Sequence, residues 1–295
     1  MVARPSRKVA LLALLAAYAS ALLVALLVGG MLAGQPPLLR SAAADIAATV
    51  VIFLLSVLLR NTSLYDPYWS VAPIALVLAW AKLPAGGSDG AARIALVLTL
   101  VAVWGLRLTW NFLRRWRGLG DEDWRYSGLR ERSRGLFPLV NLFGLQLMPT
   151  ALVFAALLPV YAVLTAPAAP FGLLDGLALV VTAGAILIEA AADWQLRRFL
   201  DGDRAPGAFL ATGLWRLSRH PNYFGEIAFW WGLGLFALAA DPGNAWTLVG
   251  PAAITLLFVF VSVPMMDRRM HARRGYAEHC ARTSAIVPRP PRRSG

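Results

Sequence analysis

The chain has 295 residues, 58% of them hydrophobic and only 15% charged, with a mean hydropathy of +0.61. A soluble domain carries about 45–50% apolar and about 25% charged residues, so an ordinary soluble enzyme, a disordered chain and a coiled coil are excluded. The lone Cys280 also excludes a disulfide scaffold and a cysteine-built zinc site, and no metal is expected. The net charge of +12 would point to nucleic acid in a soluble chain. In a membrane protein Lys and Arg mark the cytoplasmic side, and no nucleic-acid partner is expected.

Apolar blocks run over residues 9–33, 42–60, 69–83, 92–113, 138–164, 172–196, 223–240 and 245–266. The first is too long for a signal-peptide core and reads as a retained helix. Turn residues separate the blocks: Gln35-Pro36-Pro37, Pro84-Ala85-Gly86-Gly87, Pro167 with Pro170, and Asp241-Pro242-Gly243. If every block crosses once, one face receives all but Arg40, Lys82 and Arg93 of the 28 Lys and Arg residues. The sequence therefore predicts an all-α polytopic bundle with both termini cytoplasmic. The 69–83 block is short, so the count is seven or eight spans. The Arg-rich end, Pro288 to Arg293, reads as a frayed segment facing lipid headgroups.

Ionisable residues in or beside apolar blocks are expensive and mark function or an interior pair. Asp66, Arg107, Asp175, Glu189, Asp193 and Glu226 are of this kind. Asp66, Arg107, Asp193 and Glu226 are expected to converge on a cavity open to the cytoplasm. Asp175, near the outer end of its block, is expected to serve a helix N-terminus.

The densest polar run is Ser218-Arg219-His220-Pro221-Asn222-Tyr223-Phe224-Gly225-Glu226. Proline excludes His220 from the α region and suits the first turn of a helix, whose free N–H groups, with Arg216 and Arg219, make an anion site. Asn222 and Glu226 share a face, and Gly225 lets a flat ligand approach. The plainer reading is a capped helix with a snorkelling arginine.

Arg219 to Glu226 resembles the C-terminal signature of the steroid 5α-reductase-like membrane enzymes, which include the sterol C14 and C7 reductases and a large bacterial branch to which the whole chain is most similar. A looser His-Pro-x-Tyr version occurs in membrane methyltransferases acting on isoprenylcysteine or phospholipid, which usually lack the Asn222/Glu226 pair. Asp193-Trp194-Gln195-Leu196-Arg197 resembles the Asp-x-x-x-Arg of the 5α-reductases, which contacts the cofactor. Asp267-Arg268-Arg269, Tyr276, His279-Cys280 and Ile286-Val287-Pro288 resemble the segment that closes over the dinucleotide in sterol reductases. Upstream, Tyr65 and Asp66 stand where the family has a Gln-Glu pair that binds the steroid ketone. Trp104 and Arg107 stand where it has a substrate-binding Tyr and a cofactor-binding Arg.

The resemblance implies a single integral membrane domain over 1–295, with variable helices in 1–60, a reductase-like core in 61–290 and its cofactor-binding part in 189–290. It implies NADPH as cofactor, held by Arg107, Asp193, Arg197, Arg219, His220, Asn222, Tyr223, Glu226, Arg268 and Arg269. Asp66, with Tyr65 or Tyr68, would polarise the substrate carbonyl, and Trp69 and Trp104 would line the substrate. Trp104 offers one indole N–H where the family has a hydroxyl, which argues against a steroid more than against reduction.

A carboxyl in an apolar cavity keeps its proton near neutral pH and can donate to a developing enolate. No strand-turn-helix Gly-x-Gly-x-x-Gly unit is present, so the cofactor site is not of the Rossmann type. The loop Gly120 to Tyr126 carries mixed charges that either neutralise neighbouring arginines or order a lid. The expected function is reduction of a C=C bond in a lipophilic steroid-, terpenoid- or acyl-enone-like substrate. The alternative is methyl transfer from S-adenosylmethionine to a lipid or isoprenoid. A transporter is disfavoured because the polar residues gather near one face. A bacterial inner membrane is the expected location.

Overall fold

The computed structural model describes residues 6–83, 90–167 and 169–292. They are almost wholly helical, with no strand among the described residues. Seven helical stretches among them are long and apolar enough to cross a membrane: Arg7–Met31 (α1), Pro37–Leu58 (α2), Ala91–Arg115 (α4), Trp124–Thr165, Leu173–Asp201 (α8), Pro221–Ala240 (α9) and Pro242–Met270. The fourth contains α5 (Trp124–Ser133), a π-helical segment Val140–Leu147, α6 (Met148–Ala156) and α7 (Leu158–Thr165). The last contains α10 (Val249–Leu257) and α11 (Val263–Met270), and α12 (Tyr276–Arg282) follows it.

The 69–83 block forms α3, Tyr68–Trp80, of only 13 residues. At 1.5 Å per residue it is about 20 Å long, short of a hydrocarbon core of about 30 Å. Seven single crossings leave the termini on opposite faces. A shared face requires α3 to serve as an eighth.

The chain divides into two compact units, Met1–Leu83 with Val101–Phe154, and Pro84–Leu100 with Ala155–Gly295. In the N-terminal unit, Ala10, Leu14, Ala17 and Ala21 fall on one face of α1 and pack with Ala48 and Ile52 of α2. Small residues let two backbones approach where lipid supplies no hydrophobic drive. Leu12, Leu15, Leu22 and Leu26 point outward, as the apolar solvent requires.

In the C-terminal unit, Asp175, Ala178, Thr182, Ala185, Glu189 and Ala192 form the buried stripe of α8. It packs along α9, where a Cβ at Gly225 would lie 2.7 Å from the Cβ of Glu189 and 2.8 Å from the carbonyl oxygen of Ala185. At Gly232 it would lie 2.1 Å from Thr182 Oγ1. Gly225 therefore serves helix–helix contact, not the approach of a flat ligand.

Asp175 closes the N-terminus of α8 as expected, accepting the N–H of Gly172 at 2.9 Å. It also binds Arg93 through both oxygens. Arg93 further donates to the carbonyls of Ala169, Pro170 and Ala239, joining the start of α4, the start of α8 and the end of α9.

Candidate functional site

In the N-terminal unit, two loops build a polar pocket. Asn61 caps a short 3-10 turn (Thr62–Leu64), its Oδ1 accepting the Ser63 N–H at 2.8 Å, while its amide donates to the carbonyls of Leu119 and Asp121. Glu122 accepts the N–H of Thr62 at 2.8 Å, and the Asp123 N–H donates to Ser63 Oγ at 2.9 Å. These bonds knit residues 61–66 to residues 119–123. Glu122 also accepts two hydrogen bonds from Arg130, at 2.7 and 2.8 Å. Burial works against its ionisation, but Arg130 and the Thr62 N–H hold the carboxyl below the usual range. Asp123 caps α5 and pairs with Arg125 at 2.8 Å. Of the two expectations for this loop, its acids pair with neighbouring arginines, Asp123 with Arg125 and Glu122 with Arg130.

The knitted loops bring Asp66 against the phenol of Tyr126, which donates to its Oδ1. Asp66 lines a cavity of about 220 Å³ together with Ser63, Phe112, Arg115, Trp116 and the acids of the 121–123 loop. Phe112 and Trp116 stack at 5.5 Å, forming its aromatic wall. Burial pushes the Asp66 carboxyl up to about 6, against the downward pull of the Tyr126 hydrogen bond and the Arg125 charge.

Tyr65 and Tyr68 stand apart from this pocket. They stack on each other at 5.5 Å, and their hydroxyls serve a buried network: Tyr65 with Thr150 Oγ1 at 2.9 Å, Thr150 with Thr49 Oγ1 at 3.0 Å, and Tyr68 donating to Asp45 Oδ1 at 2.7 Å. A role for either tyrosine beside Asp66 does not fit this geometry. Trp104 is wholly buried and meets Trp69 edge-on at 6.2 Å, so it supports Trp69 from the interior rather than presenting a surface to substrate. Arg107 is half-buried in α4.

In the C-terminal unit the organising residue is Asp267. It pairs with Arg219 at 2.7 Å, lies 3.1 Å from His220 Nε2 and accepts the Tyr276 hydroxyl at 2.6 Å. Arg219 also donates to the carbonyls of Cys280 and Thr283. Its guanidinium is engaged on every side, so Arg219 does not fit the phosphate-gripping role expected of it. Burial lowers its basicity, but the Asp267 hydrogen bond and charge outweigh that and raise it.

His220 stacks on Tyr223 at 5.0 Å, and Tyr223 packs on Phe258. Pro221 opens α9 as predicted. Asn222 accepts the adjacent Tyr223 N–H at 3.1 Å, and the buried Glu226 accepts the Trp230 indole N–H at 2.8 Å. Asp193 and Arg197 are half-buried on α8, while Arg268 and Arg269 are exposed on the last turn of α11. Arg197, Arg268 and Arg269 have the donor chemistry that dinucleotide phosphates require, and Asn222 the amide chemistry to meet a carboxamide.

Residues 217–219 pair with the C-terminal segment. The Arg219 N–H donates to the Ser284 carbonyl at 2.8 Å, Ser218 Oγ to that of Ile286 at 2.7 Å, and the Arg289 N–H to that of Leu217 at 3.0 Å. The Arg292 N–H donates to the Arg282 carbonyl at 2.9 Å. The end of the chain up to Arg292 is tied down, correcting the expectation of a frayed tail.

The sequence assigns no individual site role to three residues. Asp45 stands alone as an acid within an apolar block, which is itself a signal. Tyr126 ends the charged loop that was noticed for its charges alone. Asp267 is masked by the two arginines that follow it.

No solved structure matches the chain. It is 27% identical over 242 residues to Uncharacterized protein C594.04c of Schizosaccharomyces pombe, covering 75% of this chain and 70% of that one. Residues 52–283 match the model of the family described as Protein of unknown function (DUF1295). That stretch takes in the Asp66 pocket, the Asp267 hub and α9, and the chain belongs to the DUF1295 family.

Proposed function

We infer that this membrane protein is a steroid 5α-reductase-like oxidoreductase, reducing a C=C bond of a lipophilic enone with NADPH. The observation that supports this most is Asp66: a carboxyl held near its protonation midpoint, bonded by Tyr126, in a cavity walled by Phe112 and Trp116. Protonated Asp66 donates a hydrogen bond to the substrate carbonyl. As negative charge gathers on that oxygen the bond strengthens, which lowers the barrier. Tyr126 orients the carboxyl, and the cavity of about 220 Å³ takes the carbonyl end of the substrate against Phe112 and Trp116. In the C-terminal unit, Asn222 and Glu226 would hold the nicotinamide end of the cofactor, and Arg197, Arg268 and Arg269 its phosphates. NADPH, when bound, supplies the hydride. On this reading the cofactor comes from the cytoplasm, and the Ala-rich spans favour a bacterial inner membrane.

The test is thermal unfolding of detergent-solubilised protein with millimolar NADPH or S-adenosylhomocysteine. A rise in melting temperature with NADPH alone is expected. A rise with S-adenosylhomocysteine alone would select methyl transfer, and no response to either would remove both readings.

A further inference from the structure

The C-terminal unit holds a cavity of about 320 Å³ whose wall includes Arg216, Glu278, His279, Arg282 and Thr283. Arg216 comes from the helical turn Leu214–Leu217, Glu278, His279 and Arg282 from α12, and Thr283 caps that helix. The volume lies at the lower end of the ~300–1,000 Å³ range of ligand pockets. It has room for a compact polar group and not for an entire dinucleotide.

Both guanidinium groups are exposed. Among the described residues the Arg216 side chain makes no hydrogen bond, and the Arg282 side chain makes a single long one, from Nε to the Arg292 carbonyl at 3.4 Å. Their forks are free, in contrast to the fully engaged Arg219. Arg219 instead secures the wall from behind, donating to the carbonyls of Cys280 and Thr283. His279 is pushed down by burial and by the Arg219 charge, which leaves it neutral at pH 7, its Nδ1 lying 3.3 Å from Thr283 Oγ1. Glu278, exposed, is the one carboxylate in the wall against two permanent positive charges.

We propose that this cavity is a phosphate-binding site, with Arg216 and Arg282 as its two forked donors. Planar guanidinium groups match phosphate oxygens two at a time. The phosphate belongs either to a soluble nucleotide or to the headgroup of an anionic phospholipid. The site stands on the cavity and its free arginines and does not depend on the reductase reading.

The test uses the full chain in a non-ionic, phosphate-free detergent buffer at fixed ionic strength, since exposed charges are screened by salt. Inorganic pyrophosphate is titrated while the melting temperature is read. Separately, native mass spectrometry counts phosphatidylglycerol or phosphatidylcholine retained. The proteins are wild type, R216Q/R282Q and R289Q, the last changing an exposed arginine outside the wall. Pyrophosphate should raise the melting temperature of wild type and R289Q and act at least tenfold more weakly on R216Q/R282Q. If pyrophosphate has no effect but R216Q/R282Q alone loses phosphatidylglycerol, the headgroup is the ligand. Identical responses of all three proteins to both probes overturn the proposal. Should the double variant unfold without ligand, the single variants R216Q and R282Q carry the same comparison. Asp66→Asn should respond like wild type, so this result and the fate of the reductase reading are scored separately.

Discussion

Arg93 grips Asp175 through hydrogen bonds of 2.6 and 2.8 Å, and the two side chains are only 3% and 1% exposed. Removing one partner of such a pair leaves the other as a buried charge without compensation, at a cost of roughly 3–5 kcal/mol. Asp175→Asn should lower the melting temperature accordingly. Arg93→Met with Asp175→Leu should recover part of the loss. It should not recover all of it, because the carbonyls of Ala169, Pro170 and Ala239 lose their donor. Thermal unfolding followed by tryptophan fluorescence measures both.

Asp66 yields a signed pH dependence. Burial raises its carboxyl from the ordinary 3.8 to about 6, so the fold binds this proton more tightly than the unfolded chain does. Its contribution to stability is complete below about pH 4 and is lost as pH rises through about 6. Melting curves between pH 4 and 7 should show this decline in wild type, and Asp66→Asn should flatten it. On the reductase reading, kcat/KM falls about tenfold per pH unit above 6, as the protonated form is depleted.

Tyr126→Phe moves the same midpoint. The phenol hydrogen bond pulls the Asp66 carboxyl down, so its loss should shift the limb to higher pH. A profile unchanged in midpoint would show that the two groups are not coupled.

Gly225→Ala and Gly232→Ala probe the α8–α9 seam. The added methyl at Gly225 meets the Glu189 Cβ at 2.7 Å, and the one at Gly232 meets Thr182 Oγ1 at 2.1 Å and its Cα at 3.0 Å. Overpacking of this kind costs about 1–3 kcal/mol. Main chain stands close at both positions, the Ala185 carbonyl oxygen 2.8 Å from the Gly225 methyl and the Thr182 Cα 3.0 Å from the Gly232 one, so both variants should lose stability. Equal melting temperatures for wild type and both variants would show a seam loose enough to absorb a methyl.

Asp267→Asn should loosen the C-terminal segment. A hydrogen bond to a charged group contributes roughly 1.5–3 kcal/mol, and Asp267 takes them from Arg219 and Tyr276. Amide hydrogen exchange in 276–289 should quicken by about tenfold or more, while exchange in α1 stays as it was.

Most of the helices were legible because lipid imposes one rule, a long apolar run with its backbone satisfied internally, and the blocks obey it. The boundary at Pro221 and the cap at Asp175 were legible for the same local reasons that form them. The role of Gly225 was not, since a missing side chain looks the same whether it admits a ligand or a neighbouring helix, and only Ala185 and Glu189 decide. Arg219 misled for a related reason. An arginine beside a helix start reads as an anion donor until its acid is known, and Asp267 lies 48 residues away. Tyr65 and Tyr68 lie within two residues of Asp66 in sequence but answer to Thr150 and Asp45, through long-range pairings that no local pattern encodes.

The pairing of residues 217–219 with 284–289 bears on how the protein is handled. A truncation after Thr283 would strip acceptors from Ser218 and from the Arg219 backbone N–H, releasing the very turn that starts α9. Epitope tags and reporter fusions therefore belong beyond Arg292, and a shortened clone that loses stability would be reporting a released helix start.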